Sequence, residues 1–481
     1  MKTVLKAIGY TLSTLVVVAL VFAAYGAVKI KLYEQTDDPT HLKEKLQYLR
    51  ELQAAERLPH RPNIVFVLYD DMGYGDLGIT GADAIRTPNI DQLAEQGARL
   101  TNFYSPSPVC TPSRFGFLTG RHAERGQLAH VVFPEGHAMS NFIKLRDANI
   151  RIPAYEITLP EVLKSVGYTT GMVGKWHLGD VSPSLPNDMG FDTFYGALYS
   201  NDMLPFAIYK NGNIVIESPA DQTLLSEAYA KASTNFIRKN SESPFFLYLA
   251  HNFPHEPLHV RASRLGQSAA GLYGDVVEEL DKDIGSLVAA LRDEGVLDNT
   301  LIIITSDNGP WYLGNPGPAR GRKGDTFEGG MHVPFIAHWP SKIQAGQVID
   351  GLAMGTDLLP TILSMLNLPK PDDRILDGKS ILNMLTNKQA SPHDYLYYYS
   401  GKLLAIRDSD YKFVPKRGIH YGMATLPIGV AVPKGPYLFD MRHNGNESYD
   451  IQAHKPEVFQ RFEQLYQQRQ KSMADNRGGW Q

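Results

Sequence analysis

Four short apolar runs, each followed at once by polar residues, punctuate the middle of this chain. Asn63 to Leu68 (NIVFVL) leads into Tyr69, Asp70 and Asp71, and Thr169 to Val173 leads into Lys175 and His177. Phe245 to Ala250 leads into His251 and His255, and Leu301 to Thr305 (LIIIT) into Asp307 and Asn308. Runs of this kind, without polar alternation, predict strands buried on both faces, as in a parallel sheet. Helical patterns lie between them. Thr158 and Glu161 form a capping box ahead of Leu163 and Val166, with Gly167 as the stop. Val277, Leu280, Ile284, Leu287 and Leu291 follow steps of three and four until Gly295. Strands alternating with helices predict an α/β fold, a sheet covered on both faces, whose ligands gather outside the carboxyl ends of the strands.

The pattern differs at both ends. Lys2 and Lys6 precede an uncharged run from Ala7 to Val28, unbroken apolar from Leu15 to Ala24 and closed by Lys29 and Lys31. That run is long enough to span a bilayer, which takes about 20 residues, and longer than a signal-peptide core. A retained signal anchor over residues 1–31 is favoured over a cleaved signal peptide; either exports the rest of the chain. If retained it holds the protein to a membrane, and if cleaved it leaves the protein periplasmic or secreted. Leu42, Leu46, Leu49 and Leu52 then recur at helical spacing, which predicts a stem over 32–61 that packs on the body. From about residue 386, four short strand candidates (Tyr395 to Tyr399, Leu403 to Ile406, Tyr411 to Val414, Tyr437 to Phe439) predict a small antiparallel meander. Val458, Phe459, Phe462 and Leu465 predict a helix that closes it. The division expected is therefore 62–385 for the catalytic domain and 386–481 for a C-terminal subdomain.

Composition narrows the chemistry. The 481 residues carry 47 Lys plus Arg against 51 Asp plus Glu, which gives no electrostatic case for nucleic acid. The single cysteine, Cys110, forbids an internal disulfide and any Cys-rich metal site. Asp70, Asp71, Asp307 and Asn308 offer only oxygen, three of them anionic. Carboxylates grouped at buried strand ends need a neutralising cation, and a hard divalent ion suits them better than zinc. Each motif alone also reads as a turn. Pro112 suits the first turn of a helix, which places Cys110 near its N-terminus, where free N–H groups favour a developing anion.

Five separated motifs then agree. Cys110-Thr111-Pro112-Ser113-Arg114 with Leu118-Thr119-Gly120 resembles the signature of the type I sulfatases, a branch of the alkaline phosphatase-like superfamily. Gly174 to Gly179 (GKWHLG) is similar to that family's second signature. The Asn63 to Gly78 segment, Ser306 to Gly309, and Gly321 to Pro334 match in type and order. The resemblance implies a large mostly parallel sheet between helices with a small C-terminal antiparallel sheet. It implies that Cys110 is converted by a formylglycine-generating maturation enzyme to formylglycine, whose hydrate is the nucleophile. It further implies that Asp70, Asp71, Asp307 and Asn308 hold calcium, less favourably magnesium, beside residue 110. Arg114 and Lys175 steady the hydrate, His177 takes its second proton, and Lys323 and His255 hold the sulfate and help the leaving oxygen depart.

The implied chemistry is physically coherent. Attack at sulfur builds negative charge on the bridging oxygen, so a cation and several Lys or Arg donors should surround the group. A serine would stay sulfated until water freed it; a hydrated aldehyde has a spare hydroxyl whose deprotonation expels sulfate. The expected function is hydrolysis of aryl or carbohydrate sulfate esters. Two alternatives are a phosphonate or phosphate ester hydrolase of the same superfamily and an inactive membrane-tethered binding homologue. Between the two histidines after Ala250, the family's His-x-Pro pattern fits His255 better, leaving His251 structural or supporting the site from behind. The aromatic stretch Phe191 to Tyr209, with Tyr199, Asn201 and Asp202, is the place to look for a substrate pocket.

Overall fold

Alternate residues of the first apolar run face opposite ways. Ile64, Phe66 and Leu68 join one hydrophobic cluster, whereas Val65, Val67 and Tyr69 join the other. A strand buried on both faces must be sandwiched between layers, and the computed structural model, which describes residues 2–56, 58, 60–415, 435–443 and 445–481, has that arrangement. Asn63–Tyr69 pairs in parallel with Phe245–Ala250 on one side and Thr300–Ser306 on the other. Thr169–Gly174 continues the parallel set beyond Phe245–Ala250. Phe335–His338 is antiparallel to Thr300–Ser306 and begins the mixed edge of a ten-stranded sheet. The fold is the mostly parallel α/β class expected.

One helical layer contains the stem helix Pro39–Ala54, Cys110–Thr119, Leu159–Ser165 and Leu358–Met365, which bury Leu52, Phe115, Val162 and Ile362 against the sheet. The other contains Pro88–Glu95, Leu225–Asn240 and Gly271–Asp293, which bury Leu93, Tyr229 and Leu280. Fully burying each such side chain stabilises the fold by about 1.5–3 kcal/mol, so these layers fix the strand ends in place. Asp38 caps the stem helix by accepting the Thr40 N–H at 2.8 Å, and Pro39 fills its first position. The stem is tied down by Lys45 Nζ to the Ala154 carbonyl at 2.7 Å and by the Tyr48 hydroxyl to the Pro369 carbonyl at 2.7 Å.

Ahead of the stem, Lys2–Leu32 is one helix whose apolar stretch, Ser13–Leu32, is long enough to cross a membrane and is uncovered by the body except along its last turns. The C-terminal sheet is an antiparallel meander of Leu396–Tyr399, Leu403–Arg407, Tyr411–Val414 and Tyr437–Asp440. The helix Pro456–Asp475 closes it by packing Phe462 under Phe413 and Leu438.

Candidate active site

Four adjacent parallel strands deliver polar residues to the same edge. Asp70 and Asp71 follow Tyr69, Asp307 and Asn308 follow Ser306, Lys175 and His177 follow Gly174, and His255 lies five residues beyond Ala250. Gly174 makes one crossing possible: at φ 107° a Cβ there would lie 1.9 Å from the Ala250 carbonyl, which instead accepts the Lys175 N–H. The helix Cys110–Thr119 begins at the cysteine itself, so residue 110 sits at a helix N-terminus as the Pro112 position predicts. That helix is bolted to two strand ends. The Thr111 hydroxyl donates to the His177 carbonyl at 3.0 Å, and the Ser113 hydroxyl donates to the Asp307 carbonyl.

The charges interlock around Cys110. Arg114 donates from Nε to Asp307 Oδ2 at 3.0 Å and from Nη1 to the Lys175 carbonyl at 2.8 Å. Lys175 Nζ pairs with Asp70 Oδ2, and Lys323 Nζ lies 2.8 Å from Asp71 Oδ1. His255 Nε2 lies 3.8 Å from Asp71 Oδ2. One ligand atom from each of Asp70, Asp71, Cys110 and His255 falls within 4.8 Å of the others. Asp70 Oδ1 and Asn308 Oδ1 are buried acceptors without a hydrogen-bond partner among the described residues. Orphaned oxygens among three carboxylates are what a hard divalent cation satisfies, so this donor set fits calcium or magnesium.

The titration of these groups follows from burial and charge. Burial pushes Asp70 up, yet Lys175, His255, Arg114 and Lys323 together hold it well below the usual carboxylate range. Burial pushes the Cys110 thiol up to about 12 against the pull of Lys175 and Lys323, so an unmodified cysteine is no thiolate at neutral pH. Burial, reinforced by Lys175 and Arg114, keeps His177 well below the usual histidine value and therefore neutral. His177 Nε2 lies 3.0 Å from the Val132 carbonyl, which only accepts; the proton is thus on Nε2 and Nδ1 is a lone pair. Nδ1 is buried and has no hydrogen-bond partner among the described residues.

The ten predicted site residues all come to this strand edge. His251 has a different role: its Nδ1 accepts the Phe253 N–H at 2.9 Å and its Nε2 faces the Ser226 hydroxyl. Tyr199 packs edge-on to the His177 ring with centroids 5.7 Å apart, and Asn201 donates to the Pro257 carbonyl at 2.9 Å, so the aromatic stretch borders the site. Thr111 and Ser113 were legible as part of the cysteine motif yet carry no catalytic residue type. The Val132 carbonyl has no sequence signal.

A mostly parallel sheet whose strand ends carry an oxygen-donor cluster beside a nucleophile position at a helix N-terminus defines a metal-assisted ester hydrolase of the alkaline phosphatase-like class. Comparison with known proteins gives the family. The sulfatase family model matches residues 62–368, and the C-terminal model of N-sulphoglucosamine sulphohydrolase matches residues 323–417. The chain belongs to the sulfatase family and is a sulfuric ester hydrolase. It is 33% identical over 460 residues to the N-acetylgalactosamine-6-sulfatase of Mus musculus, covering 86% of this chain and 87% of the relative. It is 34% identical over 464 residues to human (Homo sapiens) arylsulfatase A, covering 86% and 89%. A sulfatase from Pseudoalteromonas sp. superposes with a TM-score of 0.76 at 28% identity, over 91% of this chain and 95% of that one.

Proposed function

We propose that this sulfatase removes sulfate from carbohydrate sulfate esters at the Cys110 site, with residue 110 matured to formylglycine and calcium held by Asp70, Asp71, Asp307 and Asn308. The observation that carries the reading is the grouping of Cys110 with the buried carboxylates of Asp70 and Asp71 and with His255, with Asp307 held beside them by Arg114 and with Lys175 and Lys323 around them. Formylglycine supplies a hydrated aldehyde, one hydroxyl to attack sulfur and a second to release it, and calcium supplies a Lewis acid for the sulfate oxygens.

The chain's own residues do the rest. Arg114 and Lys175, fixed by Asp307 and Asp70, steady residue 110 at the helix N-terminus. Lys323 and His255 meet the sulfate group. His255 Nδ1 faces the Glu256 carbonyl at 2.5 Å and so keeps its proton, which leaves Nε2 to serve the leaving oxygen only when the ring is charged. Burial and Lys323 lower the pKa of this ring, and an incoming sulfate anion acts in the opposite direction. His177 takes a proton at Nδ1 to complete the cycle.

Carbohydrate sulfate is favoured by the relative named N-acetylgalactosamine-6-sulfatase, and the aromatic border at Tyr199 suits a sugar face. The N-terminal helix is read as a retained anchor that places the catalytic body, 62–385, and its C-terminal subdomain, 386–481, outside the membrane it crosses. Maturation requires a formylglycine-generating partner enzyme. The test is peptide mass analysis of residue 110 together with turnover of sulfated mono- and oligosaccharides, aryl sulfate and aryl phosphate. The expected result is an aldehyde at 110 and sulfated sugars turned over fastest. A thiol at 110 in fully active enzyme would overturn the nucleophile, and a phosphate preference would move the reading to the phosphonate and phosphate hydrolases of the superfamily.

A further inference from the structure

The apolar N-terminal helix does not leave the body freely. Its last turns lie along a second helix, Ala138–Leu145, so that a Cβ on Gly26 would stand 3.6 Å from Leu145 Cδ2. Lys29 Nζ donates to the Leu145 carbonyl at 2.8 Å and to Asp147 Oδ2 at 2.7 Å. Just beyond, the Tyr33 hydroxyl donates to the Ala148 carbonyl at 2.8 Å, and the Gln35 side chain accepts the Ile150 N–H at 2.9 Å. Two helices tied this way share one level.

That level is set by length. A helix rises about 1.5 Å per residue, so Gly26 lies roughly 3 Å inside an apolar span that ends at Val28 and roughly 9 Å inside one that ends at Leu32. Leu145 is at the same depth. The outward side of Ala138–Leu145 is made for it: Met139 is 44% and Phe142 50% exposed, three residues apart on one face, and Ala138 is exposed beside them. Arg146 ends the stripe with its guanidinium 5.7 Å from the Phe142 ring centroid, one residue before Asp147, the partner of Lys29. Apolar side chains below and basic groups at the rim are the make-up of an interfacial helix, which buries its apolar face about 5–10 Å into the headgroup and acyl boundary.

We propose that Ala138–Leu145 is a second membrane contact, a helix lying in the bilayer surface beside the anchor with Met139 and Phe142 in lipid. The inference rests on the anchor being retained. The occupant is the bilayer and not a second copy of the chain, because the exposed face is continuous with a span already uncovered by protein. It bears on function, since Ala138 is only six Cα steps from Val132, whose carbonyl orients His177. Six steps reach about 20 Å at most, so the carbonyl that orients His177 is held within that distance of the helix at the lipid surface.

Because the chain has one cysteine and Cys110 is 2% exposed, a cysteine introduced at the surface is the only accessible thiol. Full-length F142C, L20C and L265C are each labelled with an environment-sensitive fluorophore and reconstituted in phosphatidylcholine/phosphatidylglycerol vesicles containing a nitroxide-bearing lipid. Leu20 lies in the apolar span and is 63% exposed; Leu265 is 62% exposed beside Arg264, which pairs with Glu279 in the helical layer opposite the stem. The expected result is a blue shift and nitroxide quenching at 20 and 142, with neither at 265. Quenching at 20 with a 142 signal like that of 265 overturns the inference and leaves the anchor standing. No quenching at 20, with an intact mass lacking the first helix, removes the anchor and this inference with it. A blue shift at 142 without quenching, in a particle of twice the mass, assigns the face to a second copy and also overturns it.

Discussion

His177 shows how much one carbonyl decides. Because the Val132 carbonyl can only accept, the imidazole must carry its proton on Nε2 and present Nδ1 as a base, and burial with Lys175 and Arg114 beside it keeps the ring neutral. His177→Ala is expected to lower kcat by about 10²–10⁴-fold with little change in KM, the size of a lost general base. A matching loss in KM, measured on the preferred sugar sulfate, would place His177 in substrate binding instead. The carboxylates make a separate prediction. A chelator that strips the divalent ion should abolish turnover and lower Tm, because an ion at 100 times its Kd stabilises the folded state by about 2.7 kcal/mol. Differential scanning calorimetry with and without added calcium checks it. At this scale the sequence was informative where motif and residue type coincide, as for Asp70, Cys110 and Lys323. It was silent on the Val132 carbonyl, because any residue supplies one.

The helical turn Glu328–Met331 depends on the C-terminal meander. Glu328 lies buried among Arg407, Lys412 at 3.0 Å and the Tyr104 hydroxyl at 2.8 Å. Burial pushes its carboxyl up, but Arg407 and Lys412 outweigh that and bring it down to about 2. Glu447, from beyond the last strand, accepts the Glu328 N–H at 2.7 Å and pairs with Lys412 at 2.7 Å. The same loop carries Lys323 five residues earlier, so the subdomain holds in place, through a buried cluster of charges, the cation that pairs with Asp71. Glu447→Ala leaves the buried Glu328 N–H without its acceptor, while Lys412 keeps Glu328 as partner, and is expected to cost about 1–3 kcal/mol, seen as a lower urea midpoint. It should also raise KM through Lys323, and an unchanged KM would uncouple the two elements. The four strands of this meander were legible from their alternation and tight spacing. The antiparallel Phe335–His338 strand and the three-residue strands at the sheet edges were not, since runs so short carry no periodicity of their own.

At the scale of the whole molecule, acid is a weakness. Burial brings His122 down to about 3, against Asp377, which pulls the other way; in the unfolded chain it takes a proton near 6.5. A depressed histidine contributes stability above its unfolded value and loses it as pH falls toward the folded one, because the unfolded state then binds more protons. Between pH 6.5 and 5 the loss is about 2 kcal/mol. His122→Phe, which keeps the ring against Tyr399, should narrow the difference in unfolding free energy between pH 7 and pH 5 by that amount; an unchanged difference would mean the ring is already charged. The sandwich of sheet and helices was legible in the sequence because four separated runs share one grammar. The pairing of the N-terminal apolar helix with Ala138–Leu145 was not, since contacts across more than a hundred residues leave no mark in either segment. One such long contact also sets a clock. The Ser113 hydroxyl reaches the Asp307 carbonyl across 194 residues, so the helix that starts at Cys110 cannot close until that later strand exists. At about 5–20 residues per second, a ribosome takes roughly 10–40 s to make the interval. Once it is closed, Cys110 is sealed at 2% exposure, so any agent that must reach its thiol works against the rate of translation.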